Sequence, residues 1–409
     1  MKINPCVIGL GYVGLPVLIN LSKKFNTCGF DINKKRILDL KKNLDTTKEF
    51  KKEELNTLKK TNLTFELNDI KKYNFFIICV PTPINTNKKP NLSPLISACK
   101  AIAKVIKKND IIIFESTVYP GTTNDICVPI IEKFSKLKIS KNDFFVCYSP
   151  ERVNPGDSNH TLNKINKIIA IPNLKIKPIV KRVYKNLSKK LIINRNIEEA
   201  ETSKVIENIQ RDINIGLMNE VYIFCEKMNI DFNNVFKLAS TKWNFGKYSP
   251  GLVGGHCLPV DPYYFSYIAN KNKIQTRVTL AGRSINEYMR KFLIKKIKTT
   301  LKKDNFNYRS DRIIFAGLTY KKNVSDIRNS QSFKIFDYFK KTNKKILAID
   351  PFVDQYSQKE IVNIDFISKI KEKACIIILV DHDNFSNISK KINKNTKVIN
   401  IMDFHTYNS

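Results

Sequence analysis

Cys257 lies in the stretch Gly251–Tyr264, GLVGGHCLPVDPYY, behind the pair Gly254-Gly255 and four residues ahead of Asp261. A cysteine thiolate can add to a carbonyl carbon if it is exposed and a neighbour raises its ionised fraction or steadies its product. The two glycines remove side-chain bulk and permit positive φ, which lets the backbone bring the sulfur close to a ligand. Pro259 and Pro262 stiffen the far side and argue against a helix interior. The same residues also suit a tight turn around a buried, inert cysteine, and the stretch alone leaves both readings open. A second set lies upstream, in EEAETSKVIENIQRDINIGLMNEVYIFCEKM. The pattern from Asn196 to about Asn229 is helical, and Lys204, Asn208 and Arg211 at i, i+4 and i+7 share one face of it. Val205, Ile209 and Ile215 flank them, which points to a polar stripe aimed into a cleft; a solvated stripe is the plainer alternative.

Groups of this kind must be held by a larger frame, and the chain opens with one. Cys6–Ile8 is a short apolar run, Gly9-Leu10-Gly11-Tyr12-Val13-Gly14 follows, and Leu15–Phe25 carries apolar residues at helical spacing. A second run, Thr27–Phe30, ends at Asp31. This is G-x-G-x-x-G between a strand and a helix, with an acid at the end of the next strand, the context a dinucleotide site requires. The glycines allow a tight turn and bring a pyrophosphate to the positive end of the helix. Asp31 would bond the adenosine ribose hydroxyls, which favours NAD over NADP; Arg36 complicates that choice, since an arginine nearby can pair with a phosphate.

The runs Phe75–Val80, Ile111–Phe114 and Phe144–Cys147 follow with helical spacers, the pattern of a parallel, doubly wound sheet. Ligands in such sheets sit beyond the carboxyl ends of the strands, so Pro81-Thr82-Pro83, Glu115-Ser116-Thr117 and Ser149-Pro150-Glu151-Arg152 are the positions to watch. A second long helix is expected over roughly Arg277–Leu301. Beyond it the alternation restarts, with strands at Arg312–Ala316, Lys345–Ile349, Cys375–Val380 and Lys397–Met402 and a helix at Gln331–Lys341. Gly317-Leu318-Thr319-Tyr320-Lys321 is a turn of another kind, without the dinucleotide fingerprint. The expected architecture is therefore α/β, two doubly wound Rossmann-like domains joined by a central helical segment. The boundaries fall at 1–195 for the NAD-binding domain, 196–300 for the central segment with the cysteine loop, and 301–409 for the C-terminal domain.

The 409 residues carry a formal net charge of +34, which raises the question of nucleic acid. The lysines are spread along the whole chain, often beside Asn and Ile, with no dense basic arm, RRM-like aromatic motif or zinc-finger spacing. That argues against a nucleic-acid partner, though a positive field would still draw in small anionic substrates. Nine cysteines sit singly, most of them in apolar runs, and only His160, His256, His382 and His405 are present. No metal site is expected, and the thiols suit a reduced, cytoplasmic protein. The apolar opening, broken by Asn4, Pro5, Gly9 and Gly11, does not read as a signal peptide. No apolar run reaches the ~20 residues of a membrane-spanning helix.

Six ordered blocks carry a resemblance over essentially the whole chain. They are GLGYVGLP at Gly9–Pro16, VPTPI at Val80–Ile84, ESTVYPGTT at Glu115–Thr123, SPERVNPGD at Ser149–Asp157, PGLVGGHCLPVDPYY at Pro250–Tyr264 and GLTYKKNVSDIRNS at Gly317–Ser330. With them the chain resembles the UDP-glucose/GDP-mannose dehydrogenase superfamily. STKWNF at Ser240–Phe245 and the GGHC-x-x-VDPYY pattern resemble the branch acting on UDP-N-acetylhexosamines, the GlcNAc or GalNAc sugars. UDP-glucose or GDP-mannose is the alternative substrate, and a non-catalytic nucleotide-binding regulator the alternative of another class.

The resemblance implies an NAD-dependent oxidation of the sugar C6 hydroxyl to the carboxylate through a thiohemiacetal and a thioester on Cys257. It implies that Lys204 and Asn208 steady the oxyanion, that Asp261 assists proton transfer through a water, and that Glu151 serves as base in thioester hydrolysis. NAD would meet Gly9, Gly11, Tyr12, Val13, Gly14, Asp31, Arg36, Thr82, Thr117 and Arg328. The UDP-sugar would meet Arg152, Val153, Lys204, Asn208, Arg211, Lys242, Asn244, Gly255 and Lys321. A homodimer built on the central helices and a role in capsule or O-antigen synthesis are further implications. One departure stands out: Asp403-Phe404-His405 has a histidine where family members usually carry a basic residue, which puts one nucleotide contact in doubt.

Overall fold

The computed structural model describes residues 2–47, 49–153, 162–353 and 358–401. The chain divides into two compact units, one formed by Met1–Glu207 with Tyr263–Ile274 and the other by Asn208–Pro262 with Gln275–Ser409. Residues 196–300 thus contribute to both.

The first unit is built on an eight-stranded sheet ordered β3-β2-β1-β4-β5-β6-β7-β8. Its strands are β1 (Pro5–Ile8), β2 (Cys28–Phe30), β3 (Asn62–Thr64), β4 (Phe75–Ile78), β5 (Asp110–Phe114), β6 (Phe144–Tyr148), β7 (Asn166–Ala170) and β8 (Lys190–Asn194). Strands β1, β4, β5 and β6 are buried along their whole length, as near-continuous apolar runs require when helices cover both faces. The ladder from β3 to β6 is parallel, with Cys6 paired to Cys28 on one side and Phe76 on the other. The expectation of a fully parallel sheet stops there. Strand β7 returns antiparallel through the pair Tyr148–Ala170, and β8 then runs parallel to β7. An antiparallel return does not need the long crossover that a parallel one does.

The second unit carries a five-stranded parallel sheet ordered β11-β10-β9-β12-β13. The strands are β9 (Arg312–Ala316), β10 (Ile346–Ile349), β11 (Ile361–Val362), β12 (Ala374–Ile378) and β13 (Thr396–Asn400). The helix Gln331–Lys340 packs Ile335, Phe336 and Phe339 onto it, in one cluster with Ile313, Phe315, Cys375 and Ile377. Ser330 caps that helix by accepting from the Phe333 amide at 3.1 Å.

Two long helices, Ile197–Met228 and Arg277–Lys303, fall close to where the periodicity puts them. In the second unit they are joined by a buried polar chain. Arg283 pairs with Asp212 at 2.6 Å, Asn286 donates to the Asp212 carboxylate at 2.8 Å, and Asn219 donates to Asn286 at 2.7 Å. The chain is only partly satisfied, since Asp212 Oδ2 and Arg283 Nε are buried without a hydrogen-bond partner among the described residues. Burial pushes the Asp212 carboxyl up to about 6, against the pull of Arg283.

Candidate active site

The dinucleotide turn is formed as the sequence requires. Gly9, at φ +87°, follows β1 directly, and the helix Gly14–Ser22 starts five residues further on. The Leu10 amide donates to the Asp31 carboxylate at 2.8 Å, and the Asn33 amide donates to its other oxygen at 2.8 Å. Asp31 stays half-exposed at the carboxyl end of β2. A Cβ on Gly14 would fall 1.8 Å from the Gly9 carbonyl oxygen, whereas one on Gly11 would meet nothing within 4 Å. So Gly14 is fixed by packing and Gly11 faces open space, a cradle that fits a pyrophosphate at a helix N-terminus. Val13 packs against the core and Tyr12 is half-buried. The Arg36 side chain is engaged within the unit: Nε donates to the Leu10 carbonyl at 2.9 Å, and Nη1 to Asp45 and Thr46 at 2.8 and 2.9 Å.

Thr82 and Thr117 meet at the same edge, the Thr82 hydroxyl donating to the Thr117 carbonyl at 2.5 Å. Tyr264, fully buried, donates its phenol to the Thr82 carbonyl and sets its ring edge-on to Tyr119. Beyond them Glu201 clamps the loop after β5. It accepts from the Gly121 amide at 2.7 Å, the Thr123 amide at 3.0 Å and the Thr123 hydroxyl at 2.6 Å. Burial carries the Glu201 carboxyl up to about 7 despite these donors.

Glu151 belongs to a buried ionic cluster. Lys167, on β7 and 1% exposed, places Nζ 2.9 Å from Glu151 and 2.9 Å from Glu115, and Tyr184 donates to Glu115 at 2.5 Å. The free oxygen of Glu151 accepts from the Arg152 and Val153 amides, each at 2.7 Å. Burial works against ionisation of Glu151, but Lys167 and the two amides outweigh it and hold the carboxyl below its ordinary value. For Glu115 burial wins over Lys167, and its carboxyl is raised. Arg152 reaches Glu207 at 2.8 Å. Lys204, nearly buried, is the remaining site residue of this unit.

The second unit holds Asn208, Arg211, Lys242, Asn244, Gly255, Cys257, Asp261, Lys321 and Arg328. The cysteine loop is fastened at three points. Gly251 exchanges two bonds with Asn219, at 2.7 and 3.0 Å. Leu258 offers its carbonyl to Arg283 at 3.3 Å, and Gly255 offers its own to Asn329 at 3.0 Å. Gly255 takes φ +82°, and a Cβ there would press on the Tyr320 ring at 2.9 Å. Arg328 is locked to Asp326 at 2.7 Å, and His256 lies 3.4 Å from the same guanidinium. The Cys257 carbonyl accepts from the Val260 and Asp261 amides at 2.9 Å, which turns the chain into the helix Asp261–Lys271. Pro262 therefore sits in the first turn of a helix, where its missing N–H costs nothing, and not in a helix interior. The half-buried thiol of Cys257 is the one non-buried sulfur among the nine cysteines.

Asn208 donates to the buried Asp261 carboxylate at 2.5 Å, so the residue expected to steady the oxyanion and the one expected to assist proton transfer are in contact. Arg211, Lys242 and Asn244 are exposed and Lys321 is half-buried. Asp157, His160 and the Asp403-Phe404-His405 end lie outside the described residues. Among the described residues no group of three or more His, Cys, Asp or Glu could hold a metal ion, and no helix is long and apolar enough to cross a membrane.

Lys167, Glu201, Asn219 and Asp326 were not singled out by the sequence. Lys167 had a signal, a lone charge inside the apolar strand NKIIA, but β7 itself was not anticipated. The others act by hydrogen bonds to loop backbone, which no spacing reveals.

Family models account for nearly the whole chain. Those of the UDP-glucose/GDP-mannose dehydrogenase family match residues 1–188 as NAD binding domain, 198–288 as central domain and 314–406 as UDP binding domain. The chain is 42% identical over 395 residues to Protein CapL of Staphylococcus aureus, covering 95% of this chain and 92% of that one. It is 40% identical to the UDP-N-acetyl-D-glucosamine 6-dehydrogenase of Pseudomonas aeruginosa, covering 93% and 91%. Among solved structures, the UDP-D-ManNAc dehydrogenase of Pyrococcus horikoshii matches with a TM-score of 0.84 at 30% identity, covering 98% and 96%.

Proposed function

This chain belongs to the UDP-glucose/GDP-mannose dehydrogenase family and is an NAD-dependent nucleotide-sugar dehydrogenase, and we propose that its substrate is a UDP-N-acetylhexosamine, oxidised at C6 from alcohol to carboxylate. NAD, held by the Gly9–Gly14 turn and Asp31, supplies the hydride acceptor for each of two oxidations. Between them the Cys257 thiolate adds to the C6 aldehyde, forming a C–S bond and an alkoxide. Lys204 and Asn208 donate to that oxygen, one as ammonium and one as amide, in the manner of an oxyanion hole. After the second oxidation a water adds to the thioester carbon, its proton passes to Glu151, and the C–S bond breaks to return the thiolate. Asp261 orients Asn208 and assists the proton transfers. The uronate product suits surface polysaccharide synthesis.

The observation that carries this reading is the Asn208–Asp261 contact at 2.5 Å beside a cysteine whose backbone is fastened at three points. Pre-set donors and a positioned nucleophile are what covalent capture of an aldehyde requires. The sugar is read from the 40% identical Pseudomonas enzyme and from STKWNF. UDP-ManNAc is the second reading, favoured by the fold match to the Pyrococcus enzyme. Exposed Leu217, Phe224, Val278, Leu280 and Tyr288 on the long helices support a homodimer through them.

A panel of UDP-GlcNAc, UDP-GalNAc, UDP-ManNAc, UDP-glucose and GDP-mannose with NAD+ tests the reading. Two NADH per molecule of a UDP-N-acetylhexosamine are expected. Turnover on UDP-glucose or GDP-mannose alone would refute the substrate, and one NADH per sugar would remove the thioester step.

A further inference from the structure

The cluster around Lys167 holds more charge than it balances. Two carboxylates, Glu115 after β5 and Glu151 after β6, share one ammonium at 2.9 Å each, and all three side chains are 9% exposed or less. Like charges this close cannot both stay ionised without a counter-charge. Tyr184 donates to Glu115 from the helix Lys177–Tyr184. Cys79 after β4 and Cys147 on β6 are buried thiols facing the same cluster, and burial keeps both raised and therefore neutral. The Arg152–Glu207 pair closes the outer side as a self-balanced pair. Lys167 is thus the one cation within ion-pair distance of the two carboxylates among the described residues.

We propose that Lys167 is a positioning residue for thioester hydrolysis: it holds Glu151 ionised and oriented as proton acceptor for the attacking water and leaves the two oxidations untouched. This inference rests on the covalent reading above. Lys167 aims its ammonium at one oxygen of Glu151 while the Arg152 and Val153 amides hold the other, so the carboxylate cannot rotate. Removing the ammonium takes from Glu151 the counter-charge that offsets its burial and the neighbouring Glu115, so its affinity for a proton rises. A protonated Glu151 can no longer accept one from water. The first oxidation and the attack of Cys257 do not use Glu151, so the enzyme should reach the thioester and stall there.

The test is Lys167→Met, with Lys167→Arg as the charge-conserving variant. Each is mixed with NAD+ and the sugar giving the highest NADH yield, then followed by rapid-mixing absorbance and acid-quenched intact mass. K167M should retain a burst approaching two NADH per subunit at close to the wild-type rate, followed by steady turnover slowed about 10²-fold. Sugar should accumulate on Cys257, and the acid limb of the hydrolysis step should move to higher pH. K167R should restore steady turnover to within about tenfold and leave no adduct, since a general base is worth about 10²–10⁴-fold and its charge is kept. Burst and steady rate falling together without adduct would overturn the proposal, as would steady turnover unchanged in K167M. If K167M does not fold, an adduct accumulating in K167R with an unshifted acid limb overturns it equally. A wild type that makes no NADH from any nucleotide sugar defeats the functional reading itself, which the variants cannot do.

Discussion

The two units contain the same turn put to opposite uses. In the first, Gly9 follows β1 at φ +87° and Asp31 accepts the Leu10 amide on one oxygen and the amide two residues on, Asn33, on the other. In the second, Gly317 follows β9 at φ +84°, and Asp350, at the end of β10, accepts the Leu318 amide at 2.6 Å and the Phe352 amide at 2.8 Å. The surroundings then differ. Asp31 is half-exposed, and a helix starts at Gly14 just beyond the turn. Asp350 is buried beneath His382, 3.2 Å away, and also accepts the Thr319 amide at 3.1 Å. Its helix waits until Gln331, and the intervening chain supplies Tyr320, Asp326, Arg328 and Asn329 around the cysteine loop. An aspartate at the end of the second strand is therefore available to a ligand only where it is left solvated; where its acceptor capacity is used up internally, it is a structural pin.

Breaking the two aspartates separates the roles most sharply. Asp350→Ala leaves three amides and a buried histidine without their acceptor, and should cost the second unit about 3 kcal/mol, read as a fall in thermal midpoint. Asp31→Ala should cost less than about 1 kcal/mol of stability while weakening NAD+ about tenfold, the loss of one charge-assisted bond. Equal destabilisation by the two would erase the distinction.

The glycines offer a second, smaller contrast. A Cβ on Gly317 would sit 2.2 Å from the Val380 carbonyl oxygen, against 3.0 Å from the Cys79 carbonyl for Gly9. Both pay for positive φ, so Gly317→Ala should lower the thermal midpoint more than Gly9→Ala, and only the latter should act chiefly on NAD+ binding. The reverse order would show that the C-terminal turn tolerates the movement.

A third comparison concerns acid. Burial opposes the ionisation of Asp350, yet its bond to His382 prevails and the carboxyl is lowered; Glu201 is raised to about 7 by burial. The signs are opposite. Stability from Asp350 is present above its ordinary unfolded value and is lost as pH falls through the folded one. Stability from Glu201 is present below its unfolded value and is lost as pH rises through about 7. The difference in unfolding free energy between wild type and Glu201→Gln should therefore decline between about pH 5 and 8, whereas that for Asp350→Asn should decline only on acidification. A flat Glu201 curve would mean that its three donors keep it ionised.

Much of this was legible beforehand, for physical reasons. The buried strands β1, β4, β5, β6, β9, β10 and β12 announce themselves as apolar runs, and the long helices as Gly-poor periodic ones. Strand β3 is three residues long, β8 is largely half-exposed and β7 carries a lysine, so none has the composition of a buried strand. Cys257, Asp261 and Asn208 could be named because nucleophile, acid and amide are recognisable by type. Asp350 and His382 could not, since nothing in their type or spacing tells a buried pair from an exposed one. The tying of Arg36 by Leu10, Asp45 and Thr46 was equally hidden, because it depends on a loop whose path the sequence does not state.

The central claim is that Cys257 carries the sugar between its two oxidations. It is tested most directly by counting NADH per UDP-N-acetylhexosamine for wild type and Cys257→Ser, with acid-quenched mass of the protein from the same reactions. Two NADH per sugar and a transient adduct on the Cys257 peptide are expected for wild type, with steady turnover and thioester both absent from the variant. Two NADH per sugar from Cys257→Ser at an undiminished rate would contradict the account.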